Sequence, residues 1–172
     1  MINWIYGFVL LLLFVLENIY FKIAKKYNIL DVPNERSSHH TITLRGGGVI
    51  FYFGVLIYEL VFGFFAPWFV CGLTLVALIS FIDDMNPLSA KIRLLVQAFS
   101  LLLLLLQLGV HEVAWGYVVL SLFFGLAILN IYNFMDGING ITGGYSLVAM
   151  LALWGINAFV FPIAPAGFIP VV

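Results

Sequence analysis

Charge is what this sequence has least of. Only 9% of its 172 residues are Asp, Glu, Lys or Arg, where a soluble domain carries about a quarter. That scarcity excludes an ordinary solvated surface. Seven basic residues against eight acidic ones leave a net charge of −1, which gives no electrostatic footing for a nucleic acid. Cysteine is nearly missing too. Cys71 stands alone in an apolar run, so an internal disulfide is excluded and the residue reads as a small buried hydrophobe. The amino terminus lacks the marks of a cleavable signal. Met1 to Asn3 carries no basic residue and no small-x-small pattern follows, so the first apolar segment reads as a retained helix.

What fills the chain is hydrocarbon: 64% of the residues are apolar. Six runs approach the roughly 20 residues that a helix needs to cross about 30 Å of bilayer core. They are Ile2–Phe21, Gly48–Phe65, Pro67–Ile82, Ile92–Leu108, Val113–Tyr132 and Thr142–Phe161. Backbone groups in lipid must be satisfied within the segment, which favours helices. The ten-residue alternation of a membrane barrel is not seen. The predicted fold class is therefore all-α, a polytopic transmembrane helix bundle of about six spans, treated as one domain over residues 1–172. The closing Gly167–Val172 stretch is apolar and reads as a further span cut short.

The few charges orient the bundle. Lys22, Lys25, Lys26, Arg36 and Arg45 lie between the first and second runs, and Lys91 and Arg93 between the third and fourth. Basic loops stay in the cytoplasm, so the N-terminus is expected outside. Trp4, Trp68 and Trp115 then fall near outer helix ends, where amphipathic aromatics are favoured. Three polar loops become cytoplasmic: Lys22 to Arg45, Asp83 to Arg93, and Asn133 to Ile141. Nearly all residues capable of chemistry face one compartment.

Asp83 and Asp84 directly follow an apolar run. Adjacent carboxylates repel, and the C-terminal end of a helix is already partly negative. A cation relieves them, and Mg²⁺ takes one or two carboxylates plus substrate phosphates. The sixteen residues of the third run reach only about 24 Å, which puts the pair near the membrane boundary. The alternative is a solvated loop with acids set against Lys91 and Arg93. Ser89, Lys91 and Arg93 follow at a distance suited to holding a diphosphate opposite a metal, or serve only as orientation signals. Asn130, Asn133 and Asp136 share neighbouring parts of one helix face, ahead of Gly137-Ile138-Asn139-Gly140, a turn-forming stretch. An amide inside an apolar helix must find a partner, so Asn130 reads equally as a helix–helix hydrogen bond. The first loop carries Asp31 through Arg36, His39 and His40, then Arg45-Gly46-Gly47-Gly48. Adjacent histidines lack the i, i+4 spacing of two metal ligands on one helix. Glu17 and Glu59 lie in apolar segments without an evident role.

Three stretches together resemble the polyprenyl-phosphate N-acetylhexosamine-1-phosphate transferases, glycosyltransferase family 4. They are Asp31-Val-Pro-Asn-Glu-Arg-Ser-Ser-His39 through Arg45-Gly-Gly-Gly48; Asp83-Asp84 through Leu88-Ser-Ala-Lys91-Ile-Arg93; and Asn130-Ile-Tyr-Asn-Phe-Met-Asp136-Gly-Ile-Asn-Gly140. The resemblance covers about residues 31 to 145. It implies transfer of a sugar-1-phosphate from a UDP-N-acetylhexosamine to a polyprenyl (undecaprenyl) phosphate with release of UMP, at the start of cell-surface polysaccharide synthesis. The implied cofactor is Mg²⁺, with Mn²⁺ as an alternative. By position, Asp83, Asp84 and Asp136 would be the catalytic acids, with Asp83 and Asp84 at the metal. Asn133, Lys91, Arg93, Asn130, Arg36 and His39 would bind substrate. The implied location is the inner (plasma) membrane with a cytoplasmic active site, and a homodimer is open to such a protein. Ile42 and Leu44 depart from the prolines of many relatives, and Asn139 stands where some have a second aspartate. The family's enzymes have ten or eleven helices, so the implied active site is incomplete in this chain. Two other readings remain: a truncated, catalytically silent relative that binds lipid, and a transport element with Asn130 and Asp136 lining a path.

Overall fold

The computed structural model describes residues 2–31, 43–110, 114–135, 140–162, 165 and 168–171. Among them the chain is helical: α1 (Ile2–Lys26), α2 (Val49–Phe62), α3 (Pro67–Met85), α4 (Ala90–Gln107), α5 (Trp115–Met135), α6 (Ile141–Phe159) and a single turn, α7 (Phe168–Val171). Between α1 and α2 lie two short strands, β1 (Leu30–Asp31) and β2 (Thr43–Leu44), paired antiparallel with Leu30 opposite Leu44.

Five helices, α1, α3, α4, α5 and α6, are long and apolar enough to cross a membrane. Besides the short α7, the described residues form six helices, in keeping with the expected bundle of about six, and α2 is the shortest of them. Helix α2 has 14 residues and covers about 21 Å, well short of the hydrocarbon thickness. The apolar run is longer than the helix because glycine trims it at the far end, where Gly63 takes φ 103°, a conformation an L side chain disfavours. The third span is corrected at its end. Helix α3 runs 19 residues, about 28 Å, and carries Asp83, Asp84 and Met85 inside its last turns rather than after them. Asn86 closes it, its N–H donating to the Ile82 carbonyl, and Pro87 follows, which cannot extend a helix.

Large apolar side chains point outward from these helices. Trp4, Trp115 and Phe159 are each more than four-fifths exposed. In water so much apolar surface is a liability; in lipid it is the natural outer face of a helix whose backbone is satisfied internally. The chain is a multi-pass membrane protein. Cys71, expected to be buried, is exposed on α3, because a hydrocarbon solvent gives a small apolar side chain no reason to turn inward.

The chain forms two compact units, Met1–Phe62 with Met135–Val172, and Gly63–Phe134. In the first, α1 packs on α2 around Val9 and Tyr58, with Ile5, Tyr6, Leu13, Ile57 and Phe168 against them. The Tyr58 ring stacks on Phe62 at 4.7 Å and meets Phe168 of α7 edge-on at 5.1 Å, geometries that aromatic quadrupoles favour. At the other end of this helix pair, the Tyr20 hydroxyl donates to the Arg45 carbonyl, and the Arg45 N–H donates to Ile29 at 3.2 Å.

In the second unit, α3 and α4 form an antiparallel hairpin. Gly72 lets them meet: a Cβ there would stand 2.7 Å from the Ser100 carbonyl oxygen. Small residues at such crossings allow the close approach that drives helix association in lipid. At the end of the hairpin away from its turn, Gln107 ties α4 to α3, accepting from the Trp68 N–H at 3.1 Å. Helix α5 meets α4 at Gly125, where a Cβ would press to 3.0 Å from the Leu101 methyls. Gly72→Val is expected to force α3 from α4 and lower stability by about 1–3 kcal/mol, read as a lower unfolding temperature in detergent. Gly7→Ala, with open space around its Cα, serves as the neutral control.

Candidate functional site

One end of the Gly63–Phe134 unit is polar, and the α3–α4 turn builds it. Ser89 takes extended backbone angles and caps α4, its Oγ accepting from the Ile92 N–H at 3.4 Å. The cap starts the helix at Ala90 and so puts Lys91 and Arg93 in the opening turns. Across the hairpin, Asp83 Oδ1 accepts from the Leu88 N–H at 2.7 Å, and Oδ2 accepts from Arg93 Nη1 at 2.8 Å. Arg93 is about three-quarters buried and Asp83 about four-fifths. The negative end of the α3 dipole would penalise Asp83; the Arg93 charge and the positive end of α4 lie beside it and offset that penalty. The cation that the acidic pair calls for is, at Asp83, supplied by the protein itself. Asp84 and Lys91 are exposed.

A second polar link lies one turn deeper. The Asn130 amide donates to the Leu126 carbonyl at 2.8 Å and to Gln97 Oε1 at 3.4 Å, and Gln97 is buried. Asn130 therefore makes the helix–helix hydrogen bond that its place in an apolar helix demands. This link aligns the end of α5 with the start of α4. Asn133, exposed in the last turn of α5, thus shares the polar end with Asp83, Asp84, Lys91 and Arg93. The opposite end is apolar, with a cleft of about 280 Å³ lined by Leu102, Leu103, Leu105, Leu106, Trp115 and Val118.

Gln97 escaped the sequence reading. Its signal was there: an amide four residues after Arg93, on the same helix face. Glu17 also gains a setting, in the other unit. Its Oε1 lies 3.5 Å from where a Gly47 Cβ would stand, and its Oε2 is buried without a hydrogen-bond partner. The acid of the first span therefore packs on the Arg45–Gly48 turn, where Gly46 takes φ 77°. Asp136, Arg36 and His39 lie outside the described residues.

Among the described residues no three His, Cys, Asp or Glu side chains gather into a metal cage. Mg²⁺ rarely needs one, since it keeps waters and takes substrate phosphates beside one or two carboxylates. An exposed Asp84 at the polar end fits such a partial donor set; Asp83, with both oxygens already hydrogen-bonded, fits it less well.

Residues 66–169 match the family description Glycosyl transferase family 4. The chain belongs to this family. The matched region takes in α3, α4, α5 and α6, and with them the acidic pair and the Asn130–Gly140 motif. Among similar curated proteins is the undecaprenyl-phosphate alpha-N-acetylglucosaminyl 1-phosphate transferase of Escherichia coli K12, 30% identical over 149 residues, which are 77% of this chain and 40% of that protein. The protein of the same name from Thermotoga maritima is 30% identical over 163 residues, 91% of this chain and 52% of its own length. The chain thus spans about half, or less, of the length of these family 4 relatives. No solved structure matches it.

For this family 4 chain, Gln97→Leu and Asn130→Leu are each expected to destabilise unit Gly63–Phe134. A double-mutant cycle should return a coupling of about 0.6 kcal/mol, with about 1.7 as the upper bound for interhelical bonds in membranes. Unfolding in detergent measures it, and zero coupling would mean that the 3.4 Å contact carries no energy.

Proposed function

We propose that the protein transfers an N-acetylhexosamine-1-phosphate from a UDP-sugar to polyprenyl (undecaprenyl) phosphate and releases UMP, at the inner membrane, with its polar end in the cytoplasm. Membership of family 4 carries this reading, together with relatives named undecaprenyl-phosphate alpha-N-acetylglucosaminyl 1-phosphate transferase. The polar end supports it: carboxylates, Lys91, Arg93 and Asn133 meet at one end of an otherwise apolar unit. Basic residues concentrated in two loops support the cytoplasmic side.

The reaction joins two anionic groups. An oxygen of the lipid phosphate attacks the β-phosphorus of the donor. The bond from that phosphorus to the bridging oxygen breaks, and UMP leaves with the electron pair. Bound Mg²⁺ supplies neutralisation of the phosphate charges. The chain's own residues do the rest in this reading. Lys91 and Arg93 hold phosphate oxygens. A carboxylate, from the pair ending α3 or from Asp136, accepts the proton of the lipid phosphate. Asn133 orients donor or phosphate, as Asn130, Arg36 and His39 would in the family's pattern. Partial burial of Asp83 and Arg93 against the apolar body keeps their charges effective.

Membranes expressing the natural reading frame, given undecaprenyl phosphate, a panel of UDP-N-acetylhexosamines and Mg²⁺, are expected to release UMP. Chelation should stop release, and Asp84→Asn should lower it by more than about a hundredfold. Release unchanged by Asp84→Asn would overturn the reading. Flux of a solute in liposomes without UMP release would favour the transport alternative.

A further inference from the structure

The side-chain amide of Asn130 has a fixed direction, and that direction decides what it can bind. Its Nδ2 lies 2.8 Å from the Leu126 carbonyl and 3.4 Å from Gln97 Oε1. A carbonyl oxygen only accepts, so the atom facing Leu126 is the nitrogen and not Oδ1. That nitrogen has two hydrogens, and the two contacts take both. What is left for a ligand is Oδ1, which accepts from no described residue. Gln97 is only 8% exposed, so packing on α4 holds its half of the contact, while Asn130 is only partly buried. An unconstrained amide can turn over and offer either edge; this one offers an acceptor.

We propose that Gln97 is a positioning residue: it holds Asn130 with its oxygen free, so that Asn130 accepts a hydrogen bond from the nucleotide sugar. This rests on the transferase reading above and deepens it. Ionised phosphate oxygens are themselves acceptors, which excludes both the diphosphate and the lipid phosphate as the partner of Oδ1. Hydroxyl and N–H groups fit, and a UDP-sugar carries them on its sugar and on its nucleoside. The two sources share one chemistry. UMP, which has the nucleoside and lacks the sugar, separates them.

UMP release is measured in membranes carrying the natural reading frame, varying the UDP-N-acetylhexosamine at saturating undecaprenyl phosphate and then the reverse, with and without added UMP as inhibitor. If the unaltered protein releases no UMP, the transferase reading itself fails. Given release, Gln97→Met fills similar space with only a weak sulfur acceptor. It is expected to raise the UDP-sugar KM about fivefold, the effect of one lost hydrogen bond, with kcat within about threefold and the lipid KM unchanged. Gln97→Glu restores an oxygen acceptor and should return that KM to within about twofold of the unaltered protein; a residue that merely filled space would show no such rescue. Asn130→Leu should raise the same KM at least as much as Gln97→Met, and the double variant no further, since Gln97 acts through Asn130. A UMP inhibition constant that rises with the KM assigns the bonded group to the nucleoside, and one that stays assigns it to the sugar. If Gln97→Met does not accumulate, Gln97→Glu and Asn130→Leu decide, the first keeping the UDP-sugar KM and the second raising it. A change confined to the lipid KM or to the Mg²⁺ requirement, no rescue by Gln97→Glu, or additive effects in the double variant would overturn the proposal.

Discussion

Hydrocarbon offers a polar group no partner, and every feature of this chain follows from that. Backbone amides must bond within their own segment, so the apolar runs become helices. Side-chain amides inside those helices must find each other, so Gln97 meets Asn130. Ionised side chains must sit at an end or be paired, so Asp83 takes Arg93 and the Leu88 N–H. Outward faces are left to large apolar side chains such as Trp115 and Phe134. With no hydrophobic force between helices in lipid, association depends on close backbone approach, which Gly72 permits against Ser100.

The α3–α4 hairpin turns that constraint into a site. Two acids at the negative end of a helix are unfavourable alone. The turn brings the capped start of α4 and its two basic residues alongside, and the electrostatic penalty becomes the reason the turn has one geometry. A cluster of charge so arranged holds its donors and acceptors in fixed places, as the proposed phosphate chemistry would require. In the other unit Tyr20 and Glu17, one turn apart on α1, both reach the Arg45–Gly48 segment. That segment is thereby fixed to a transmembrane helix rather than left to its own glycine-rich freedom.

Much of this was legible in the sequence. Composition and run length announced a helical membrane protein, and charge placement put Asp83, Asp84, Lys91, Arg93 and Asn133 at one end before any coordinates. Three motifs in order pointed to the family. The errors have physical causes. The helix within Gly48–Phe65 stops at Phe62, short of the run's end, because Gly63 breaks it, which hydropathy does not register. Cys71 was assigned to an interior because the habit of burying apolar residues assumes water outside. Two acids after Ile82 look like a helix end in sequence, whereas α3 continues through them to Met85, with a cation across the turn.

The sequence by itself determined the solvent, the element type and the end at which polar residues gather, because these depend on hydropathy and charge summed over a segment. Tertiary structure alone decided the partners. That Asp83 is bound to Arg93, that Gln97 answers Asn130, and that Glu17 lies on Gly47 depend on which helix faces meet, and a one-residue step along a helix turns a side chain by about 100°. Adjacent residues of like chemistry therefore carry the same signal in sequence and face different surroundings in space.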